Sequence, residues 1–259
     1  MTTEGAVQLS IADGVAAVLF DRPQARNAMT WAMYQQLRAI CEKLAADRSV
    51  RVVTFRGAGG EAFVAGTDIA QFAAFQTGDD GVAYERQIDY SISLVESLPM
   101  PTVAVLEGWT IGGGLAIATA CDFRIATSAS RFGVPIAKTL GNCLSIANLA
   151  RLVAVWGMPR VKRMLLLAEL IHADEALACG AVLQVCAPEA RGPAETRGGL
   201  GLCGRAPVPH AVTMAGWRRL AVQGLPEGED LIRRCYGSAD FHEGVAAFVA
   251  KQSPHWTGC

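Results

Sequence analysis

Charged and aromatic side chains are scarce in this 259-residue sequence, at 18% and 7% of the residues. The formal net charge is −1, so neither a basic surface for nucleic acid nor an acidic tail is indicated. The sequence contains no uninterrupted apolar run long enough to predict a membrane span, and its first residues lack the pattern of a signal peptide. We therefore predict a cytoplasmic protein with no nucleic-acid partner and no membrane partner.

Cysteine pairs of the C-x-x-C type are also missing. The eight cysteines are scattered, and the four histidines lie far from them along the sequence. This distribution argues against a zinc site and against a disulfide framework, and it predicts mostly buried, free thiols. No G-x-x-x-x-G-K-[ST] segment occurs, which excludes a phosphate-binding P-loop. We predict no metal site.

Strand-like and helical patterns alternate along the chain. Apolar, β-rich runs occupy residues 15–20, 50–55 and 102–106. Segments with helical periodicity follow two of them, at residues 30–44 and 82–98, and GDDG at residues 78–81 is predicted to form a loop. The alternation predicts an α/β fold with βα crossovers.

Two glycine-containing segments each lead into a predicted helix: FVAGTDI at residues 63–69 and GWTIGGG at residues 108–114. Glycine permits close approach of the backbone to a ligand, and a helix N-terminus offers unpaired amides. Two such loops that meet form an anion site, which for a thioester enolate is an oxyanion hole. Glycine turns before helices are also common in α/β folds without any such role.

A rival pattern is GAGGEA at residues 57–62, which follows a strand and formally matches a dinucleotide-binding fingerprint. That fingerprint opens directly into a helix, whereas residues 62–66 look extended. We therefore do not favour a nicotinamide cofactor.

Four segments resemble, in order and spacing, the crotonase (enoyl-CoA hydratase/isomerase) superfamily. They are DRPQARNAM at residues 21–29, AFVAGTDI at 62–69, GWTIGGGLAIATACD at 108–122 and DFHEGVAAFVAK at 240–251. The resemblance implies an α/β, crotonase-like spiral of ββα units with a helical C-terminal part. Residues 1–190 would form the core and residues 191–259 a helical oligomerisation region, irregular at 190–210. It also implies a homotrimer or a hexamer.

The resemblance further implies an acyl-CoA thioester as the ligand, with coenzyme A as part of the substrate and no other cofactor. The backbone N–H groups of Ala65 and Gly113 would form the oxyanion hole. Arg26 suits a CoA phosphate by its charge. The residues expected to bind the substrate and its CoA part are Arg26, Ala28, Ala65, Gly66, Thr67, Asp68 and Ile69.

The sequence departs from the hydratases of this superfamily at two positions. Where these enzymes carry two glutamates that activate a water, this chain has Ala116 and Ile136, which cannot transfer protons. Glu107, Asn142 and Cys143 are weak candidates to replace the two glutamates as acid or base. We therefore predict an enoyl-CoA hydratase/isomerase-like enzyme, of the lyase or isomerase class, that uses the oxyanion hole for isomerisation, decarboxylation or thioester hydrolysis, with ordinary hydration doubtful. The alternative is a non-catalytic acyl-CoA-binding paralogue.

Overall fold

The structure is a computed structural model, and it describes residues 4–187 and 227–257, together with Gly216 and Gly224. The segment 190–210, predicted to be irregular, and the predicted boundary between residues 190 and 191 lie outside the described residues. The described C-terminal residues contain the helices that the sequence predicts there.

The strands are short, and most of them lie where apolar or extended runs predict them. In chain order they are β1 (Ala6–Ala12), β2 (Val15–Asp21), β3 (Val52–Gly57), β4 (Ala62–Ala65), β5 (Thr102–Leu106), β6 (Trp109–Ile111), β7 (Phe123–Thr127), β8 (Arg131–Gly133), β9 (Ile171–His172) and β10 (Gln184–Cys186).

The helices of the described residues are α1 (Trp31–Ala46), α2 (Gly78–Glu96), α3 (Gly113–Ala120), α4 (Ile136–Thr139), α5 (Ile146–Trp156), α6 (Met158–Leu166), α7 (Ala173–Ala178), α8 (Glu229–Tyr236) and α9 (Ala239–Ala250). Two 3-10 helices of the described residues, Pro23–Ala25 and Ile69–Ala74, precede α1 and α2 respectively. None of the helices in the described part of the chain combines the length and the apolar character that a membrane crossing requires.

The described strands form a six-stranded sheet in the order β1-β2-β3-β5-β7-β10 and a four-stranded sheet in the order β4-β6-β8-β9. The chain passes from β3 to β4, from β5 to β6 and from β7 to β8, each time moving from the first sheet to the second and then into a helical segment. Neighbouring strands from successive units are parallel. This repetition is the predicted spiral of ββα units, and the prediction is confirmed.

Helix α1 shows how the sequence specifies an element locally. Thr30 is its N-cap, and the Thr30 side chain accepts a hydrogen bond from the Met33 amide at 3.2 Å. Leu37, Cys41 and Leu44 follow at helical spacing and are buried against the sheet. The cap and the apolar stripe therefore define both the start of the helix and its buried face.

The predicted loop at residues 78–81 is wrong, because these residues form the first turn of α2. Thr77 and Asp80 make a capping box, in which the Asp80 carboxylate accepts a hydrogen bond from the Thr77 amide at 2.8 Å. The two glycines serve close packing against α8. A Cβ on Gly78 would lie 2.1 Å from the Arg233 carbonyl oxygen, and one on Gly81 would lie 2.1 Å from the Tyr236 ring.

Candidate functional site

The two glycine loops meet at the ends of neighbouring strands. Strands β4 and β6 are parallel, with Ala65 paired to Ile111, so the residues that follow them lie side by side. Gly66 and Gly112 have φ angles of +90° and +53°, which side chains rarely allow. A Cβ on Gly112 would lie 3.7 Å from the Gly66 Cα. The structure thus brings together the two segments that the sequence singles out.

The amide of Ala65 does not face this junction freely. It donates a hydrogen bond to the Arg26 carbonyl oxygen at 3.0 Å, which ties β4 to the turn before α1. An amide already paired with a carbonyl is not available to a thioester oxygen. The predicted pairing of Ala65 with Gly113 as oxyanion donors is therefore corrected on the side of Ala65.

The amide of Thr67, two residues further on, is the unpaired N–H that an oxyanion hole requires. In the parallel bridge between Met29 and Thr67, Met29 donates to the Gly66 carbonyl at 2.9 Å, and Asp68 donates to the Met29 carbonyl at 2.8 Å. This pattern uses the amides on either side of the bridge and leaves the Thr67 N–H pointing away from Met29. No acceptor for it occurs among the described residues.

Gly113 supplies the second amide. It is the first residue of α3, and the amides of a first helical turn have no acceptor within the helix. Gly113 and Thr67 lie close together, because a Cβ on Gly113 would lie 3.3 Å from Thr67 Oγ1. Two unpaired amides therefore belong to neighbouring residues of adjoining loops, beside the positive end of the α3 dipole.

The Thr67 side chain is held by two phenols. The Tyr34 hydroxyl oxygen lies 2.9 Å from Thr67 Oγ1, and the Tyr84 hydroxyl oxygen lies 3.1 Å from it. Burial raises the pKa of Tyr34 to about 12 and raises the pKa of Tyr84 well above its ordinary value. Both phenols are therefore neutral at physiological pH and restrict the Thr67 rotamer.

The turn before α1 is fastened to the same region by Asn27, which is fully buried. Its Oδ1 accepts a hydrogen bond from the Arg22 amide at 2.9 Å, and its Nδ2 donates to the carbonyl oxygens of Ala58 and Ala62 at 2.9 and 2.8 Å. The preceding Arg26 has a positive φ of 51°. The guanidinium of Arg26 lies 5.5 Å from the centroid of the Trp109 ring.

A cavity of about 470 Å³ opens beside the two unpaired amides. Arg26, Ala65, Gly66, Thr67 and Ile69, all predicted substrate-binding residues, line it. Further lining residues are Phe72, Tyr84, Glu85, Ile88, Trp109, Ile111, Gly112, Gly113, Ala116, Val134, Pro135, Lys138, Thr139, Leu140, Asn142, Leu144, Asn148, Leu152, Ala168, Leu170 and Phe248. The wall is mostly apolar, with a few polar groups, which is the usual composition of a small-molecule site.

Two predicted substrate-binding residues do not line the cavity in the described part of the chain. Ala28 follows the turn at Asn27, and Asp68 caps the 3-10 helix Ile69–Ala74 by accepting from the Ala70 amide at 3.2 Å. The Asp68 carboxylate also pairs with the Arg22 guanidinium at 2.7 Å. These positions shape the loop, so direct substrate contact by them is not supported.

The two positions at which the sequence analysis expects the hydratase glutamates, Ala116 and Ile136, differ from one another. Ala116 is 8% exposed and lines the cavity on α3. Ile136 begins α4, is partly buried and packs against the main core, and it is not among the described residues that line the cavity. A water held between these two positions would find the Ala116 methyl group on one side and no polar side chain at Ile136, so neither residue could accept or donate a proton.

Of the three weaker candidates, only Asn142 lines the cavity. Glu107 is buried and reaches towards the loop after β3, since a Cβ on Gly60 would lie 3.7 Å from Glu107 Oε1. A hydrogen bond with the Cys235 thiol, followed by burial, raises the pKa of Cys143 well above its ordinary value. Cys143 is thus a neutral thiol, which does not support a role as a nucleophile.

Among the polar groups of the cavity that sequence reasoning misses is the carboxyl of Glu85. Glu85 lies on α2 and is only 3% exposed. It lies on the buried stripe of that helix, three residues after Val82 and three before Ile88, both of which are buried. A single glutamate on an otherwise apolar helix face is the sequence signal that could have revealed it.

Comparison with known proteins agrees with this geometry. The family profile described as enoyl-CoA hydratase/isomerase matches residues 10–259. The chain belongs to the enoyl-CoA hydratase/isomerase family. A probable enoyl-CoA hydratase of Rhizobium meliloti (strain 1021) is 31% identical over 243 residues, covering 92% of this chain and 92% of the relative. The predicted superfamily is therefore confirmed.

Solved structures of the family support the same fold. An enoyl-CoA hydratase/carnithine racemase from Magnetospirillum magneticum superposes with a TM-score of 0.80 at 31% identity, covering 100% of this chain and 97% of that chain. A methylmalonyl-CoA decarboxylase in complex with 2-nitronate-propionyl-CoA gives a TM-score of 0.89 at 24% identity, covering 98% of each chain. The second likeness concerns the fold alone.

Proposed function

We propose that this protein binds an acyl-CoA thioester and stabilises negative charge on the thioester oxygen with the backbone amides of Thr67 and Gly113. The observation that carries this proposal is the meeting of two unpaired amides from adjoining loops at the wall of an apolar cavity. Preorganised donors of this kind each contribute about 3 kcal/mol to an oxyanionic transition state.

Charge and cavity composition support a thioester with a CoA part. Arg26 lines the cavity and, at its ring contact with Trp109, presents a guanidinium suited to phosphate. The apolar residues Ile88, Ala116 and Leu144 offer a surface for an acyl chain. We propose that the acyl group enters this part of the cavity, with affinity on the order of micromolar.

Ordinary hydration of crotonyl-CoA is expected to be very weak or absent. Addition of water needs one group that removes a proton from water and one that delivers a proton to the α-carbon. Ala116 and Ile136 do neither. Each positioned acid or base contributes roughly 10²–10⁴-fold, so the loss of both costs several orders of magnitude.

The testing experiment combines calorimetry with steady-state kinetics. Titration of the full chain with butyryl-CoA should show binding, and free coenzyme A should bind more weakly because it lacks the thioester oxygen. Crotonyl-CoA turnover should stay far below about 10 s⁻¹, the median for enzymes. Absence of thioester binding would overturn the proposal. Binding without turnover of any thioester would favour the alternative, a non-catalytic acyl-CoA-binding paralogue.

Assembly and location are proposed from the sequence. We propose a homotrimer or a hexamer, which is supported by three exposed apolar side chains on α8 and α9, those of Leu231, Phe248 and Val249. A cytoplasmic location also stays a prediction.

A further inference from the structure

The wall of the cavity contains a buried carboxyl group, that of Glu85, which has no role in the proposed function. Glu85 lies one helical turn before Ile88 and next to Tyr84, and all three residues line the cavity. Tyr84 and Tyr34 both contact the Thr67 hydroxyl. The carboxyl therefore lines the same cavity as the two residues that supply the oxyanion amides.

Two hydrogen bonds fix the position of the Glu85 carboxyl group, which can still gain or lose a proton. Its Oε2 accepts a hydrogen bond from the Ser145 amide at 3.1 Å, and its Oε1 accepts one from the Tyr236 hydroxyl at 2.7 Å. The Asn142 amide donates to the same Tyr236 oxygen at 3.3 Å. Asn142 also lines the cavity, and its buried Oδ1 has no partner among the described residues. The cluster thus keeps an unused acceptor at the cavity wall.

We propose that Glu85 is the catalytic proton-transfer residue of this protein and that the reaction is a proton shift along the acyl chain of a CoA thioester. The inference rests on the proposed function, because the enolate it forms needs the amides of Thr67 and Gly113. It follows from the absence of polar side chains at Ala116 and Ile136 together with the position of Glu85 in the same cavity.

The step balances with one carboxyl group. The carboxylate takes the proton from Cα, the C–H electron pair forms the carbon–carbon double bond of the enolate, and the carbonyl π electrons move to the oxygen. Return of the proton to Cα restores the thioester. For a β,γ-unsaturated chain, return to Cγ instead moves the double bond into conjugation. The same group removes and returns the proton, so no second acid is needed, whereas hydration requires two groups.

The environment of Glu85 suits a base that works near neutral pH. Burial raises the pKa of Glu85 to about 8, while the hydrogen bonds from Tyr236 and Ser145 oppose that rise. The titratable and charged groups facing it are Tyr34 on α1, Tyr84 and Asp89 on α2, Cys143 before α5, Arg151 on α5, which pairs with Asp89, and Cys235 and Tyr236 on α8.

The experiment measures deuterium incorporation at Cα of butyryl-CoA in D₂O and conversion of β,γ-hexenoyl-CoA to its conjugated isomer. The parent protein should catalyse both. Glu85→Gln should slow both by about 10²-fold or more, because the amide cannot accept the proton. Calorimetry should give Glu85→Gln a butyryl-CoA affinity within about threefold of the parent, since the oxyanion amides are unchanged.

Glu42→Gln is the matched control. Glu42 is exposed on α1, its carboxylate accepts from the Tyr90 hydroxyl at 3.3 Å, and it is not among the described residues that line this cavity. In the described part of the chain it shares no partner with Glu85, so its loss should leave exchange within about threefold of the parent. Equal exchange by Glu85→Gln and the parent overturns the proposal.

The remaining outcomes separate this inference from the proposed function. Binding of butyryl-CoA without exchange or isomerisation by the parent overturns the role of Glu85 and leaves the thioester site standing. Absence of binding overturns both.

The pH profile keeps the test decisive if Glu85→Gln folds poorly. Exchange by the parent should rise with pH, with a midpoint near pH 8, where half of the carboxyl groups are ionised, and should level off at higher pH. Tyr236→Phe removes a hydrogen bond that lowers the pKa of Glu85, so the midpoint should move to higher pH. A purely structural Glu85 leaves the midpoint in place, and that result also overturns the proposal.

Discussion

The hydroxyl oxygens of Tyr34 and Thr67 lie 2.9 Å apart in the core beneath the two glycine loops. The phenol therefore supports, from behind, the residue whose backbone amide faces the cavity. Tyr84 contacts the same threonine oxygen at 3.1 Å, so the threonine hydroxyl has two neighbours.

Tyr34→Phe should lower the free energy of unfolding by about 1 kcal/mol, the usual net value of one buried hydrogen bond. Thr67 keeps the Tyr84 contact, so no buried group is orphaned. Urea unfolding measures the change. Tyr90→Phe is the control, because Tyr90 is 49% exposed and its hydroxyl contacts Glu42 at the surface. An effect at Tyr90 as large as at Tyr34 would contradict the prediction.

Gly113→Ala should weaken butyryl-CoA binding at least tenfold, which is ~1.4 kcal/mol. The new Cβ would lie 2.6 Å from the Tyr34 hydroxyl oxygen and must displace the loop that carries one amide donor. The bulkier Gly113→Val should disrupt the turn more strongly.

Gly113→Ala combined with Tyr34→Phe supplies the control for that displacement. Removing the hydroxyl removes the closest contact, so the double variant should bind better than Gly113→Ala alone, as measured by calorimetry. If the loss of binding free energy in the double variant equals the sum of the losses in the two single variants, the contact with Tyr34 is not the cause.

Glu85 should make stability depend on pH. Burial raises the pKa of Glu85 from 4.5 to about 8, so the folded state holds the proton more tightly than the unfolded chain does. The stabilising contribution is complete below pH 4.5, the pKa in the unfolded chain, and is lost as the pH rises through about 8, the pKa in the folded state. The loss is on the order of several kcal/mol. Urea unfolding across this range should show a steeper decline for the parent than for Glu85→Gln, and parallel declines would refute the assignment.

Restoring an acid should succeed better at one position than at the other. Ala116→Glu places a carboxylate at the cavity wall, whereas Ile136→Glu places one against the apolar core. Thermal unfolding should therefore show a larger loss for Ile136→Glu, by about 2 kcal/mol or more. Crotonyl-CoA hydration should rise measurably only when both glutamates are present. Equal stability of the two single variants would contradict this prediction, because it would mean that a carboxylate at position 136 reaches solvent instead of being buried against the core.

Light scattering at micromolar concentration should report a trimer or a hexamer. Of the apolar residues on the C-terminal helices, Ile232, Phe241 and Val245 are buried within the chain, while Leu231, Phe248 and Val249 are exposed. Val249→Lys should shift the distribution towards smaller species. His242→Lys, on an exposed position of the same helix, is the control. A stable monomer of the parent protein would contradict the predicted assembly.

Much of the fold follows from local sequence patterns. The β-rich runs, the cap at Thr30 and the stripe of α1 act over a few residues, so periodicity predicts them well. The same holds for the two glycine loops and for the lack of carboxylates at residues 116 and 136, which are read directly from motif positions.

Tertiary contacts decided what local patterns could not. The glycines at 78 and 81 signal a loop by composition, yet they allow α8 to pack onto the first turn of α2. Which amide faces the cavity depends on which neighbours accept hydrogen bonds, and the Arg26 carbonyl takes the amide of Ala65 and leaves that of Thr67 free. Both outcomes depend on residues far apart in sequence.

The sequence by itself determined the family, the spiral of ββα units and the apolar character of positions 116 and 136, because these depend on residue identity and spacing. Only the tertiary structure decided that Glu85 stands in the cavity, because α2, α8 and the segment before α5 must pack together before Tyr236 and Ser145 can surround it. A carboxyl group acquires its raised pKa from that packing, since water is removed by residues distant in sequence.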